Sequence, residues 1–260
     1  MRLLYPSDPL DSKLPDESYK EEFDAALAAG ISTSLFSFED FESGILKIRP
    51  EAQQGEIVLY RGWMLTPELY ERLSSALHSK GVLAFTSPVQ YKLCHHLPEW
   101  YPHLTDLTSE TIVLKSDANF EEELAHLKWP GYFIKDYVKS LNTAGGSLVD
   151  TPNQIGAVVQ LMQKYRGQIE GGVCVRKREN YIEGTERRYF VLNGKPYAAA
   201  GNVPEIVNVC ARIVRSPFFS VDVVLRSDNV IRVVELGDGQ VSDRKEWEAE
   251  RFAQMLRAAG

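Results

Sequence analysis

Residues 221–236 read V-D-V-V-L-R-S-D-N-V-I-R-V-V-E-L. Two strongly apolar runs, 221–225 and 230–236, flank the turn-forming Ser227-Asp228-Asn229, so the stretch reads as a β-hairpin. Each strand carries one carboxylate, Asp222 in the first and Glu235 in the second. A carboxylate in an apolar strand is costly to bury unless something positive meets it. Two of them on adjacent strands repel each other unless a cation or a proton lies between. A hard divalent ion is one answer, because Mg2+ typically takes one or two carboxylates together with phosphate oxygens. Pairing with a nearby arginine, Arg226 or Arg232, is the other.

Working outward, residues 173–191 read V-C-V-R-K-R-E-N-Y-I-E-G-T-E-R-R-Y-F-V. Arg176, Lys177, Arg178, Arg187 and Arg188 make this the most basic stretch of the chain. Such a local field suits a small anionic ligand better than a nucleic-acid duplex, and a solvated strand face is the plain alternative. Strands are expected at 173–176, 188–192 and 197–200, with Asn193-Gly194 as the hairpin turn between the last two. Helices are expected at 204–214 and 244–259, the latter with Trp247, Phe252 and Leu256 on one side.

Further upstream lie two apolar strands that end in lysine, T-I-V-L-K at 111–115 and G-Y-F-I-K at 131–135. Lys139 follows in F-I-K-D-Y-V-K-S, ahead of the glycine loop 142–147. Ammonium groups beside a flexible glycine loop suit polyphosphate, whereas a lone lysine at a strand end is usually only solvated. The loop does not fit G-x-x-x-x-G-K-[ST], and no G-x-G-x-x-G follows a strand, so neither a P-loop nor a Rossmann dinucleotide site is supported. A helix at 152–165 places Ile155, Val158, Val159 and Met162 on its inner face.

The first ninety residues read β-α-β-β-α-β, a small open α/β lobe. Strands are expected at 2–5, 32–38, 56–60 and 82–85. One helix spans 18–29, with Tyr19, Phe23, Ala26 and Leu27 inward and Gly30 as C-cap. The other runs from Pro67 to about Lys80 behind Thr66. Residues 91–110, rich in Tyr, His, Trp and Pro, read as a connector.

The chain has 260 residues, a net charge of −7 and 44% apolar residues. That is enough for a substantial core, and the acidic balance gives no overall field for a nucleic-acid duplex or an anionic membrane. Cys94, Cys174 and Cys210 are widely separated, and no Cys/His zinc spacing exists, so three reduced thiols in a cytoplasmic protein are expected. No apolar h-region opens the chain and no run is long enough to span a membrane.

Taken in chain order, these features resemble the ATP-grasp fold, in which a lysine strand and glycine loop, a hinge strand and a carboxylate hairpin follow one another. The segment R-K-x5-I-x-G-x-E-x-R-x-F-V, 176–191, is similar to the hinge of a divergent clade. That clade includes the eukaryotic cell-division-cycle protein that assembles translation initiation factor two. F-I-K-D-Y-V-K-S at 133–140 and V-V-E-L-G-D-G-Q-V-S-D at 233–243 resemble its bacterial and phage branch. The resemblance covers roughly residues 110–243, and Tyr60-Arg61-Gly62-Trp63 resembles part of the lobe that precedes it.

The resemblance implies an α+β chain with an N-terminal α/β, pre-ATP-grasp lobe at 1–108 and an ATP-grasp body at 109–260. It implies ATP and Mg2+, with Lys115 and Lys135 on the α- and β-phosphates and Lys139 and Arg188 at the γ-phosphate. Backbone groups of Val175, Arg176, Lys177 and Arg178 would meet adenine. Glu186, in Gly184-Thr185-Glu186, would reach ribose or the metal shell, and Asp222 and Glu235 would hold Mg2+. Two positions depart from the family pattern. Ser220 stands where an arginine is usual, with Lys139 as its substitute. Gly237 stands where an asparagine is usual, with Asp238 or Asp243 as replacement ligand.

The implied activity is carboxylate–amine ligation through an acylphosphate, the carboxylate coming from a peptide, a protein or a metabolite. The alternative is ATP binding without ligase turnover, in the service of assembling or regulating a protein partner. A small-molecule kinase is a third reading. Arg61 and Trp63 are candidates for the substrate pocket, against a structural cation–π or packing contact.

Overall fold

The computed structural model describes residues 1–141 and 146–258. In chain order it begins β1 (Arg2–Pro6), α1 (Lys20–Ala28), β2 (Ser32–Phe36), α2 (Phe38–Glu42), β3 (Ile57–Tyr60), α3 (Pro67–Ser79) and β4 (Leu83–Ala84). It continues α4 (Pro88–His95), α5 (Leu97–Trp100), β5 (Thr111–Leu114), α6 (Phe120–Leu124), β6 (Tyr132–Asp136), β7 (Leu148–Val149), α7 (Ile155–Arg166) and β8 (Val173–Lys177). It ends β9 (Arg187–Leu192), β10 (Lys195–Ala198), α8 (Glu205–Ile213), β11 (Phe218–Leu225), β12 (Ile231–Asp238) and α9 (Ala249–Arg257).

Two compact units share these elements. The first comprises Met1–Cys94, Arg187–Val221 and Gly237–Gly260, and the second His95–Glu186 and Asp222–Leu236. The carboxylate strands β11 and β12 each begin in one unit and end in the other.

In the first unit the sheet order is β2-β1-β3-β4, all parallel, as the alternation of strands and helices requires. The Thr66 side chain caps α3 by accepting from Leu69 N, with Pro67 at its first turn. Beneath this sheet, Leu3 and Tyr5 share a core with Phe190, Phe218, Trp247 and Phe252. Helix α1 and Tyr19 at its N-cap turn Tyr19, Phe23 and Ala26 to that core as expected, and the helix buries a charged residue as well. It buries Glu22, Ala25 and Ala26, while Leu27 is half exposed. The reason is Arg61, whose guanidinium holds the Glu22 carboxylate at 2.7 Å through both Nε and Nη2. An amphipathic reading assigns no inner place to a charged residue whose partner lies far along the chain.

The second unit has the sheet β5-β8-β6-β7, with antiparallel pairing throughout. Helix α7 covers it with Ile155, Val158, Val159 and Met162, all buried as expected. The third sheet runs β10-β9-β11-β12.

Some elements differ from the sequence reading. The connector 91–110 contains the end of α4 and all of α5. The last helix starts only at Ala249, because Lys245 takes a left-handed φ of 45° and Trp247 lies ahead of the helix, buried among the aromatics. All three cysteines are buried and free. Among the described residues no helix is long and apolar enough to cross a membrane.

Candidate functional site

Strand β6 carries Lys135 into the second unit, where it is 4% exposed. Its ammonium is paired with the Glu235 carboxylate of β12. An ammonium that deep must have an acidic partner, and the partner comes from a position one hundred residues away. The two arginines considered for the hairpin, Arg232 and Arg226, both hold Glu179, at 3.1 and 3.4 Å, and Arg226 also binds Asp228.

Asp222 is 2% exposed on β11. A Cβ on Gly237 would lie 2.9 Å from Ser220 Oγ, so positions 220 and 237 face the same way. Side chains alternate along a strand, so Asp222 and Glu235, two residues further along each strand, share that face. Two hard oxygen donors on one face, one already held by a lysine, fit an Mg2+ ion and its phosphate.

The side chain of Arg176 has a structural task. Strand β8 is central and hydrogen-bonded along both edges, so the backbone of Val175 and Arg176 is engaged by β5 and β6. The Arg176 side chain, 4% exposed, donates to Val234 O at 2.7 Å and to Thr108 Oγ1 at 2.6 Å. Thr108 Oγ1 in turn donates to Val233 O at 2.7 Å. This clamp fixes the backbone of β12 immediately before Glu235. Burial pulls the guanidinium below its ordinary pKa, and among the described residues its Nε has no partner.

The basic stretch is largely neutralised rather than a positive field. Lys177 binds Glu110 at 2.6 Å, Arg178 binds Asp150 at 2.7 Å, and Arg188 binds Asp243 at 2.5 Å. These acids are remote in sequence, which is why the run looked unopposed. Arg188 belongs to the first unit, 8% exposed, with its backbone N–H on Glu246 and its carbonyl accepting from Trp247.

Lys115 and Lys139 are exposed, as is Glu186. Lys139 is presented by a tight turn organised by Asp136, a residue the sequence reading passed over. Asp136 Oδ1 accepts from Val138 N at 2.8 Å and Lys139 N at 2.6 Å, and its Oδ2 accepts from Glu170 N at 3.2 Å. An aspartate directly after the strand lysine, in K-D-Y-V-K, is the available signal for such a turn. Thr185 ties the Gly184–Glu186 element to β11, accepting from Leu225 N at 3.2 Å. Most of the glycine loop, 142–145, lies outside the described residues.

The two replacement candidates differ. Asp238 is fully buried in the first unit, its Oδ1 accepting from both nitrogens of Gln240 at 3.0 Å and its Oδ2 unpartnered. Burial pushes its carboxyl up to about 7. Asp243 is exposed and holds Arg188. Arg61 is buried, with its carbon 4.7 Å from the Phe252 ring centre, and Trp63 packs edge-on to Tyr19 and Phe38. For this pair the packing alternative describes what is seen.

Residues 92–256 match the profile of the ATP-grasp domain, R2K clade family 3. No curated protein matches the sequence. Among solved structures, the chain is similar to a RimK domain protein ATP-grasp from Sphaerobacter thermophilus DSM 20745, at 17% identity and TM-score 0.63 over 99% of this chain and 100% of that one. It is similar to the D-alanine-D-alanine ligase from Coxiella burnetii, at 14% identity and TM-score 0.65 over 100% and 95%. It is also similar to the ATP-grasp ligase PsnB complexed with a phosphomimetic variant of minimal precursor, Mg and ADP, at 12% identity and TM-score 0.63 over 99% and 96%. The architecture these share with the chain is the α+β ATP-grasp fold.

Proposed function

Because the chain belongs to family 3 of the R2K clade of ATP-grasp domains, we propose that it is an ATP- and Mg2+-dependent carboxylate–amine ligase. The observation that carries this reading is the Lys135–Glu235 pair, with Asp222 on the same face as Glu235. A substrate carboxylate attacks the γ-phosphorus of ATP, ADP leaves, and an amine displaces phosphate from the acylphosphate to give an amide. The protein's part is charge neutralisation and positioning. Lys115 and Lys135 hold the α- and β-phosphates, and Lys139 and Arg188 meet charge at the γ-phosphate. Asp222 and Glu235 hold Mg2+, which when bound neutralises phosphate charge. Backbone groups of Val175, Arg176, Lys177 and Arg178 meet adenine, and the Arg176 side chain positions β12. Glu186 serves ribose or the metal shell.

Solved neighbours described as a D-alanine-D-alanine ligase and as PsnB with a precursor peptide support amide formation, with a peptide or protein as one substrate class. Kinship with the eukaryotic relative rests on the hinge motif at 176–191, and kinship with the bacterial and phage branch on 133–140 and 233–243. The three buried thiols suit a reducing cytoplasm.

ATP binding without turnover is the second reading, and one observation favours it. The place of the usual asparagine is filled, since a Cβ on Gly237 would meet Ser242 Oγ at 2.6 Å. Assays of ADP release with amino-acid and peptide acceptors decide. Turnover should depend on acceptor and on Mg2+, and Asp222→Asn and Glu235→Gln should each abolish it while the circular dichroism spectrum persists. Wild-type turnover by either variant would remove the metal assignment. Tight ATP binding with no turnover under any acceptor would favour the second reading.

A further inference from the structure

His95, His96 and Glu170 come together in the second unit, with one donor atom from each lying within 4.8 Å of the others. His96 Nε2 lies 2.7 Å and His95 Nε2 4.0 Å from the same carboxylate oxygen, Glu170 Oε1. Both imidazoles are buried, while Glu170 is 21% exposed. None of these residues has a part in the proposed ligase chemistry. We propose that they form a binding site for a divalent transition-metal ion, best matched by Zn2+.

The donor set is the first argument. Two imidazoles and one carboxylate are the ligands of an open zinc site, with the fourth position left to solvent or a ligand. Magnesium and calcium prefer oxygen, whereas imidazole favours zinc and its neighbours. Spacing is the second argument. Tetrahedral bonds of about 2.0 Å separate ligand atoms by about 3.3 Å. The observed separations of 2.7 and 4.0 Å bracket that value.

Preorganisation is the third. Glu170 is fixed on both sides, its N–H on Asp136 Oδ2 at 3.2 Å and its carbonyl accepting from Tyr137 N at 3.3 Å. Leu97, next to His96, donates to Tyr137 O at 2.8 Å. The Tyr137 ring meets His96 edge-on at 5.6 Å and leaves no room for a Cβ at Gly171, which would lie 2.1 Å from it. Three chain segments are thus held in register around the donors.

Charge is compatible. Lys135 and Lys139 lie near enough to His95 to oppose a cation. Lys135 is already paired with Glu235, and Glu170 brings the compensating negative charge.

The test uses the full chain, stripped with chelator and free of nucleotide, titrated with Zn2+ and with Co2+ in excess Mg2+. One equivalent should bind, and Co2+ should give the intense visible bands of a tetrahedral site. Glu170→Gln keeps an oxygen acceptor for His96 but removes the carboxylate. It should weaken affinity by about 10²-fold or more, since even outer partners of a metal site are worth about 10–100-fold. His96→Gln should do the same, and Asp222→Asn should bind Zn2+ as the wild type does, which separates this site from the Mg2+ carboxylates. No binding, binding displaced by Mg2+, or affinity untouched by both Glu170→Gln and His96→Gln would overturn the proposal and leave His96–Glu170 a plain hydrogen bond.

Discussion

Replacing Asp238 by asparagine should raise stability at alkaline pH and leave it nearly unchanged in acid. The carboxyl is fully buried, accepts twice from Gln240 through Oδ1, and among the described residues has no partner for Oδ2. Burial is the largest influence and pushes it up to about 7, against the opposing pull of the Gln240 hydrogen bonds and of Arg61. In the unfolded chain the same group titrates near 3.9. Between about pH 4 and about pH 7 the native state therefore holds more protons than the unfolded state. Stability is fully present below that window and falls as pH rises through it. Three units correspond to about 4 kcal/mol in all, of which about 2 kcal/mol falls between pH 5.5 and 8.5. Asparagine keeps the carbonyl for Gln240 and carries no charge to desolvate. Urea unfolding of both proteins across that range, followed by tryptophan fluorescence, reads the difference directly. The variant's advantage should grow by about 2 kcal/mol from the acid end to the alkaline end. A difference that stays flat with pH would show that Asp238 is ionised throughout and that the reasoning from burial fails.

Two further substitutions separate ground-state binding from chemistry once an acceptor is known. Lys135→Ala should mainly raise the KM for ATP, because an ammonium beside ground-state phosphates serves substrate and transition state alike. Lys139→Ala should lower kcat by roughly 10²-fold, as expected for a preorganised group facing developing charge. If instead it kept its kcat and lost only ATP affinity, Lys139 would not replace the arginine missing at Ser220. In the first unit, Glu22→Gln should cost about 3–5 kcal/mol in urea unfolding, because it leaves a buried guanidinium without its carboxylate. Arg61 would then keep the neutral amide oxygen at position 22 and the carbonyls of Gly239 and Ser242, at 2.5 and 3.0 Å. A loss below about 1 kcal/mol would mean that those carbonyls suffice.

What the sequence made legible was local. Thr66-Pro67 and Gly81 bracket α3 because capping chemistry is written in adjacent residues. The inner face of α7 followed from the spacing of Ile155, Val158, Val159 and Met162. The carboxylate hairpin showed itself because charge inside an apolar run demands an explanation. What stayed hidden was every partnership across long stretches of chain. Glu235 meets Lys135, Arg176 meets Val234, and Arg61 meets Glu22, and no periodicity links such positions. The basic run looked like a field because Glu110, Asp150 and Asp243 are scattered. His95-His96 was read as part of a connector because its third donor, Glu170, lies 74 residues from His96.

The crowding at Gly237 limits which side chains this position can take. Ser220 Oγ and Ser242 Oγ are 2.8 Å apart and hydrogen-bonded, and Ser242 Oγ also donates to Asp238 O at 2.9 Å. A side chain added at 237 would strike both hydroxyls, at 2.9 and 2.6 Å, and moving either one breaks that bonded set. Introducing asparagine alone is therefore penalised, while the same change after trimming Ser242 meets less resistance. The two substitutions are non-additive, and the order in which they arise decides whether the intermediate is tolerated. Gly237 thus makes the order of change decisive: Ser242 has to be trimmed before a side chain at 237 fits.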